Sequence, residues 1–252
     1  MSLFDSYDET YEAALNPWDA MEPVEDFPEV VLVTFRQAVL DIALETFDCE
    51  PVGSLESGST YHVYKFKVGD KTFAIYRTTM GSAMTCAMLE EVIAMGGKKF
   101  VYFGSCGCLD RTIPAGHLMV PTAAYRDEGT SYHYMPASAG DFIEIETAAE
   151  TADVLRKMGL EFTETKTWTT DGLNRETRRN MENRLAAGCR VVDMECSAIM
   201  TVCKYRGVKV NQFLYAEDNL DDVKWDPRTL GKVPTSASEL YLRTALEIAK
   251  TV

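Results

Sequence analysis

The sequence predicts an α/β protein: a mixed, mainly parallel sheet with helices on both faces. Three observations lead there. Short β-branched or apolar runs alternate along the chain with stretches of helical period. The run Phe100-Val101-Tyr102-Phe103 is apolar on both faces, as a central parallel strand must be. One hairpin, at 61–76, adds an antiparallel part. With 252 residues, 46% of them hydrophobic, the chain can fill the core of one large domain.

Residues 1–29 are acidic yet carry Phe4, Tyr7, Tyr11, Trp18 and Phe27. A wholly disordered tail would be poorer in aromatics. The segment reads as an arm that packs on its own domain or on a neighbouring subunit, with a floppy tail as the plain alternative. Residues 30–252 read as a single domain.

Val30-Val31-Leu32-Val33 is a short apolar strand, followed by a helix over 36–47. Residues 61–67 alternate, 68–71 turn, and 72–76 return. Arg77-Thr78-Thr79-Met80-Gly81-Ser82 breaks that strand, and the helix over 83–95 stops at Gly96-Gly97. The strand at 100–103 ends in Gly104-Ser105-Cys106-Gly107-Cys108. A strand begins at 118–120 ahead of Pro121. Residues 126–134 are polar and aromatic, and 136–140 form a loop. A helix over 145–158, a strand over 163–169 and a charged helix over 175–187 follow. Val191-Val192-Asp193-Met194-Glu195-Cys196 then runs from a buried strand into an apolar helix. A strand over 209–215, an acidic loop over 216–222 and an amphipathic helix over 236–250 close the chain.

The net charge of −14 argues against nucleic acid, whose phosphates need a basic face. It leaves room for a small anion held by a few arginines. The N-terminal segment lacks the apolar core of a signal peptide, and no apolar run approaches membrane-spanning length. Seven cysteines, an odd and scattered set, read as reduced cytoplasmic thiols. Cys106-Gly-Cys108 has the wrong spacing for a zinc site, so no metal is expected.

Four strand ends carry candidate chemistry. At Arg77–Ser82, small residues leave backbone N–H groups free at a helix start, an anion seat to which Arg77 could add a bidentate contact. An ordinary cap with a surface arginine fits equally well. Gly104 and Gly107 flank Ser105 and allow close backbone approach to a ligand, or simply a tight turn. Asp193 and Glu195 could hold the vicinal hydroxyls of a sugar. They could also be acids complementing a helix dipole. In Ala216-Glu217-Asp218-Asn219, after the strand ending at Tyr215, an acid could act as a general acid toward a leaving group, or the stretch could be a solvated acidic loop. His62 and His117 read as surface or structural; His133, in the aromatic segment, is a candidate to line a pocket.

Together these residues resemble the nucleoside phosphorylase family of the uridine phosphorylase, hexameric purine nucleoside phosphorylase and nucleosidase type. The resemblance runs from about Val30 to Lys250. Its most specific part is Val192-Asp193-Met194-Glu195-Cys196-Ser197-Ala198, similar to the family's Glu-Met-Glu-small-Ala signature. Phe103-Gly104-Ser105-Cys106-Gly107 resembles the phosphate loop. The stretch from Arg126 to Tyr134 resembles the nucleoside-facing segment, and Trp168-Thr169-Thr170-Asp171-Gly172-Leu173 the base-pocket strand and loop.

The resemblance implies a three-layer α/β/α fold and cleavage of a nucleoside N-glycosidic bond. Phosphorylases of the family use inorganic phosphate as co-substrate and no other cofactor. It implies ribose binding by Glu195, Met194 and Asp193, and phosphate binding by Ser105 and Gly104. Asp218 would serve the leaving base, Leu173, Arg175 and Glu176 would face the base, and His133 the nucleoside. It also implies a homodimer, or a hexamer built from dimers. Three departures stand out. Tyr102 occupies the place of the usual loop arginine, Val33-Thr34-Phe35-Arg36 replaces a glycine-rich first loop, and no arginine lies near Ser59. A phosphate dianion in a dry pocket without a cation is very costly, so Arg36 and Arg77 are the expected replacements. A hydrolase on the same fold and a non-catalytic nucleoside-binding protein are the competing readings. The base is left open between purine, favoured by the carboxylate of Asp218, and uracil.

Overall fold

The computed structural model describes residues 2–8, 13–56, 58–221 and 224–252; Tyr11 of the arm and Asp222 of the acidic stretch lie outside them. In chain order the elements are α1 (Pro17–Ala20), β1 (Val30–Thr34), α2 (Gln37–Thr46), β2 (Glu50–Glu56), β3 (Thr60–Val68), β4 (Lys71–Arg77), α3 (Ser82–Met95) and β5 (Lys99–Cys108). Then come β6 (Leu118–Asp127), α4 (Ser131–Tyr134), β7 (Phe142–Glu144), α5 (Ala148–Lys157), β8 (Phe162–Thr170) and α6 (Arg178–Ala186). The chain ends with β9 (Cys189–Asp193), α7 (Cys196–Arg206), β10 (Lys209–Asn219) and α8 (Thr235–Ala249).

One mixed sheet joins all ten strands. Its parallel ladders are β1 with β4 and β5, β10 with β5, and β8 with β6 and β9. The hairpins β2–β3–β4 supply the antiparallel part on one flank. The sheet is not an open one. Both β9 and β10 pair with β5, and β6 and β8 bridge them, so five strands close into a ring. Helices cover it on two sides: α2 packs on α8 across β1 and β5, while α3, α7, α4 and α1 pack together opposite. The residues explain this layering. β1 is fully apolar but for Thr34, and its last four side chains are shut from water. α7 buries eight consecutive residues, Cys196 to Cys203, so it needs cover on every side.

Three expectations change. Residues 104–108 continue β5 instead of forming a turn, because β10 pairs with them residue by residue. Residues 216–219 continue β10 for the same reason, so the expected acidic loop is partly strand. The helix expected from 145 begins at Ala148, since Phe142–Glu144 adds a short strand to β6. β2, an exposed edge strand carrying Pro51 and Gly53, has no counterpart in the pattern reading.

Described residues of the arm pack on the rest of the chain. Phe4 meets the Tyr132 ring edge-on at 5.0 Å, Trp18 faces the Arg206 guanidinium at 5.3 Å, and the Val24 N–H donates to the Met95 carbonyl at 3.0 Å. All seven cysteines are free thiols, six of them buried. Among the described residues no helix is long and apolar enough to cross a membrane.

Candidate active site

The carboxyl ends of β1, β4, β5 and β10, with the β9–α7 junction, surround a cavity of about 690 Å³. Ligands of α/β proteins sit at such ends because loops and helix starts converge there. Arg36, Arg77, Gly104, Ser105, Leu173, Glu176, Asp193, Met194, Glu195 and Asp218 all line it.

The two carboxylates of the β9–α7 junction have different tasks. Asp193 is saturated from within. Its Oδ1 accepts from the Thr167 and Thr169 hydroxyls at 2.8 and 2.9 Å, and its Oδ2 from the Glu195 and Cys196 N–H groups at 2.8 and 2.6 Å. That is the helix-start acid, anchored to β8, and it leaves no lone pair well placed for a sugar. The expected ribose contact from Asp193 is therefore better described as positioning. Glu195 is buried and turns its carboxyl to the cavity wall, where Oε1 accepts from the Gly81 N–H at 2.5 Å. Burial, and then the neighbouring Asp193 charge, pushes its pKa up to about 8. Ser82 adds a second tie between the two helix starts, donating to the Met194 carbonyl at 2.6 Å.

At the opposite wall, Gly104 lets the Phe35 ring lie against β5, and Ser105 is exposed to the cavity between buried Gly104 and Cys106. Arg36 follows Phe35 and makes an ion pair with Glu217 of β10. Its pKa is raised: burial opposes its charge, but Tyr215 and Glu217 outweigh that. Arg77 lies over the Tyr61 ring at 4.9 Å. Tyr102, in the place of the family's loop arginine, faces the core and bonds the Tyr76 hydroxyl at 3.1 Å. The cations at this end are thus Arg36 and Arg77.

At the third wall, Asp218 sits on a bulge of β10, with its Oδ2 accepting from the Trp225 indole N–H at 2.7 Å. Glu176 faces the same space, and burial, with the Asp218 charge, pushes its pKa up to about 7. Leu173 offers the cavity an exposed apolar side chain. Two expected contacts are elsewhere. Arg175 ends a 3₁₀ turn with its side chain in solvent. His133 is exposed on α4, because Ser131 and Tyr132 take the inward positions of that short helix. The segment around it is structural: the buried Arg126 guanidinium bonds the carbonyls of Ser131, Met135, Pro136 and Gly140 and the Ser131 hydroxyl, and Glu128 holds Ser197 and Ser131. Phe35, Tyr61 and Trp225 are not singled out by the sequence, and Glu217 enters there only as one of the two acids of 216–219, without its ion-pair role. Only an alternation running on past Tyr215 could have placed Glu217.

A model of the phosphorylase superfamily matches residues 29–249. The chain belongs to the phosphorylase superfamily. Uridine phosphorylase of Escherichia coli (strain K12) is 21% identical over 169 residues, 62% of this chain and 67% of that protein. The fold of this superfamily member is similar to that of uridine phosphorylase from Vibrio fischeri ES114, with a TM-score of 0.75, 20% identity, and 97% of this chain and 100% of that one covered. It is also similar to AMP nucleosidase from Bacteroides thetaiotaomicron VPI-5482, at a TM-score of 0.71, 18% identity and 90% of both chains. Phosphorylases and a nucleosidase thus share this fold, and this chain is an enzyme of the phosphorylase superfamily.

Proposed function

We propose that the protein is a nucleoside phosphorylase, cleaving the N-glycosidic bond of a purine or uridine nucleoside with inorganic phosphate. The products are free base and pentose 1-phosphate. The observation that carries this reading is the buried Glu195 carboxyl on the cavity wall, held by Gly81 and raised to about pKa 8. A group so placed loses little on meeting two hydroxyl donors, which favour its charged form. The 2′ and 3′ hydroxyls of a pentose are such donors, and Met194 packs beneath the ring.

Phosphate enters beside Gly104 and Ser105, with Arg36 and Arg77 supplying charge. As a phosphate oxygen bonds C1′, the C1′–N bond breaks and its electrons pass to the base. Asp218, oriented by Trp225, meets the developing charge through a proton at a purine N7. Glu176 and Leu173 border the base. No cofactor beyond phosphate is invoked. The protein works in the cytoplasm as a homodimer, or a hexamer of dimers, on small molecules alone, without nucleic acid or membrane.

One observation favours a second reading, hydrolysis by water: Arg36 already carries a carboxylate, that of Glu217. Incubating a nucleoside panel with and without phosphate separates the two. Phosphate-dependent base release with pentose 1-phosphate is expected. Base release indifferent to phosphate would select the hydrolase, and binding without release a nucleoside-binding protein.

A further inference from the structure

The base end of the cavity holds two carboxyls in different situations. Asp218 Oδ2 accepts from the Trp225 indole N–H at 2.7 Å. An indole N–H only donates, so it meets Oδ2 as a bare acceptor. Asp218 Oδ1 lies over β5, where a Cβ on Gly107 would come within 3.1 Å of it. Asp218 therefore rests as an acceptor, and the proton it presents at a purine N7 has to come from another group. Glu176 lines the same cavity. It is half-buried, and its carboxyl oxygens stay open to the cavity space. Its side chain makes no hydrogen bond or ion pair among the described residues. Asp218 on β10 is the charged group that faces it. The basic side chains beside it in sequence are engaged or turned away: Arg178 donates to the Leu220 carbonyl at 3.1 Å, and Arg175 lies in solvent.

We propose that Glu176 stores the proton that Asp218 delivers to the leaving base, so that the two carboxyls act as one acid pair. This rests on the cleavage of a purine nucleoside. Two neighbouring carboxyls with no cation between them do not readily both ionise, and such a pair holds one proton in common. Burial, and then the Asp218 charge, pushes the Glu176 pKa up to about 7, so the proton is still present near neutrality. In the step, the C1′–N9 bond breaks and its electrons enter the base. The base N7 bonds the proton of the pair, and the Glu176 O–H bond breaks to supply it. Both carboxyls are then charged, and solvent reprotonates Glu176 once the base has left.

The test compares a purine nucleoside with its N7-methylated counterpart. The methylated base carries a positive charge and leaves as a neutral molecule, so its departure needs no proton. Glu176→Gln is expected to lower kcat/KM for the unmethylated nucleoside about 100-fold, and to leave the methylated one within severalfold of wild type. In the wild type, the ratio of the unmethylated to the methylated constant should fall as pH rises through about 7, where the pair loses its proton. In the variant that limb should disappear. Taking the ratio cancels the ionisation of phosphate and of Glu195. Glu176→Asp, which restores a carboxylic acid, should recover part of the loss. Equal losses on both nucleosides assign Glu176 to shaping the pocket and overturn the proposal. A variant with the wild-type ratio and limb overturns it too, and either result leaves phosphorolysis standing. Phosphate-dependent cleavage of uridine, with no purine nucleoside cleaved, also overturns the acid pair and leaves phosphorolysis standing. Base release indifferent to phosphate removes phosphorolysis alone: a base displaced by water takes the same proton, and the ratio still decides. No cleavage of any nucleoside removes both.

Discussion

The Gly81 N–H and the Glu195 Oε1 lie 2.5 Å apart, a hydrogen bond that ties the start of α3 to the end of β9. A helix start with small residues is a seat for an anion. Here the seat is taken by the protein's own Glu195 carboxyl. Gly81 adopts φ +101, a conformation that residues with a Cβ rarely take, so the N–H direction depends on glycine. The seat fixes Glu195 before any sugar arrives, and preorganised contacts are what turnover depends on. Glu195→Ala should lower kcat/KM by more than about 100-fold with an unchanged far-UV circular dichroism spectrum. Activity near wild type would remove Glu195 from the site.

The same carboxyl makes stability depend on pH, and the sign follows from its raised pKa. Between the ordinary glutamate value and about 8, the folded chain keeps the proton that the unfolded chain has lost. The contribution is full below the unfolded value and is lost as pH rises through about 8. Urea midpoints of the ligand-free protein should fall across that window, by at most a few kcal/mol from this group. Glu195→Gln should flatten the curve. Nucleoside binding below about pH 8 should release a proton, since sugar hydroxyls favour the charged form.

The division of labour between the two junction carboxylates was not legible in the sequence. Both Asp193 and Glu195 suit a helix N-terminus, and the partners that decide between them, Thr167, Thr169 and Gly81, sit on other elements. What could be read was periodicity: the alternation of strands and helices, the hairpin and the closing helix. What could not was strand continued through polar or glycine residues. Gly104 to Cys108 and Ala216 to Asn219 look like loops in isolation, and are strand only because each supplies the other's hydrogen bonds. Glu217 and its pairing with Arg36 were hidden by that same fact. His133 and Arg175 were read onto the cavity through their motif neighbourhoods, yet one-residue phase differences turn both into solvent.

Asp193 makes a stability prediction separable from catalysis. Its four hydrogen bonds join β8 to the first turn of α7, and all its acceptors are used. Asp193→Ala strands two threonine hydroxyls and two backbone N–H groups in a dry junction. The expected loss is about 2–4 kcal/mol of unfolding free energy, measured by chemical denaturation. Activity should fall as well, because Glu195 is the next residue but one. The diagnostic readout is stability, since Glu195→Ala removes one hydrogen bond where Asp193→Ala removes four.

The proposed phosphate wall can be tested through backbone spacing alone. A Cβ on Gly104 would lie 2.7 Å from Phe35 Cδ2 and 3.1 Å from Cε2, so Gly104→Ala must push the ring. Phe35 immediately precedes Arg36, and a displaced ring carries the guanidinium with it. The cost in stability should be about 1–3 kcal/mol. The kinetic signature should be a raised KM for phosphate with little change in KM for the nucleoside. Removing the obstacle, in Gly104→Ala with Phe35→Ala, should recover part of the stability, a coupling that a double-mutant cycle reads directly. Gly107 is the internal control, three residues along the same strand. A Cβ there meets Leu220, Val192 and the Asp218 Oδ1 at 2.8–3.1 Å, none of which touches Arg36 in the sequence. Gly107→Ala should therefore disturb the base end and raise KM for the nucleoside instead. If both glycine variants changed the same constant, the assignment of separate walls to phosphate and base would be wrong.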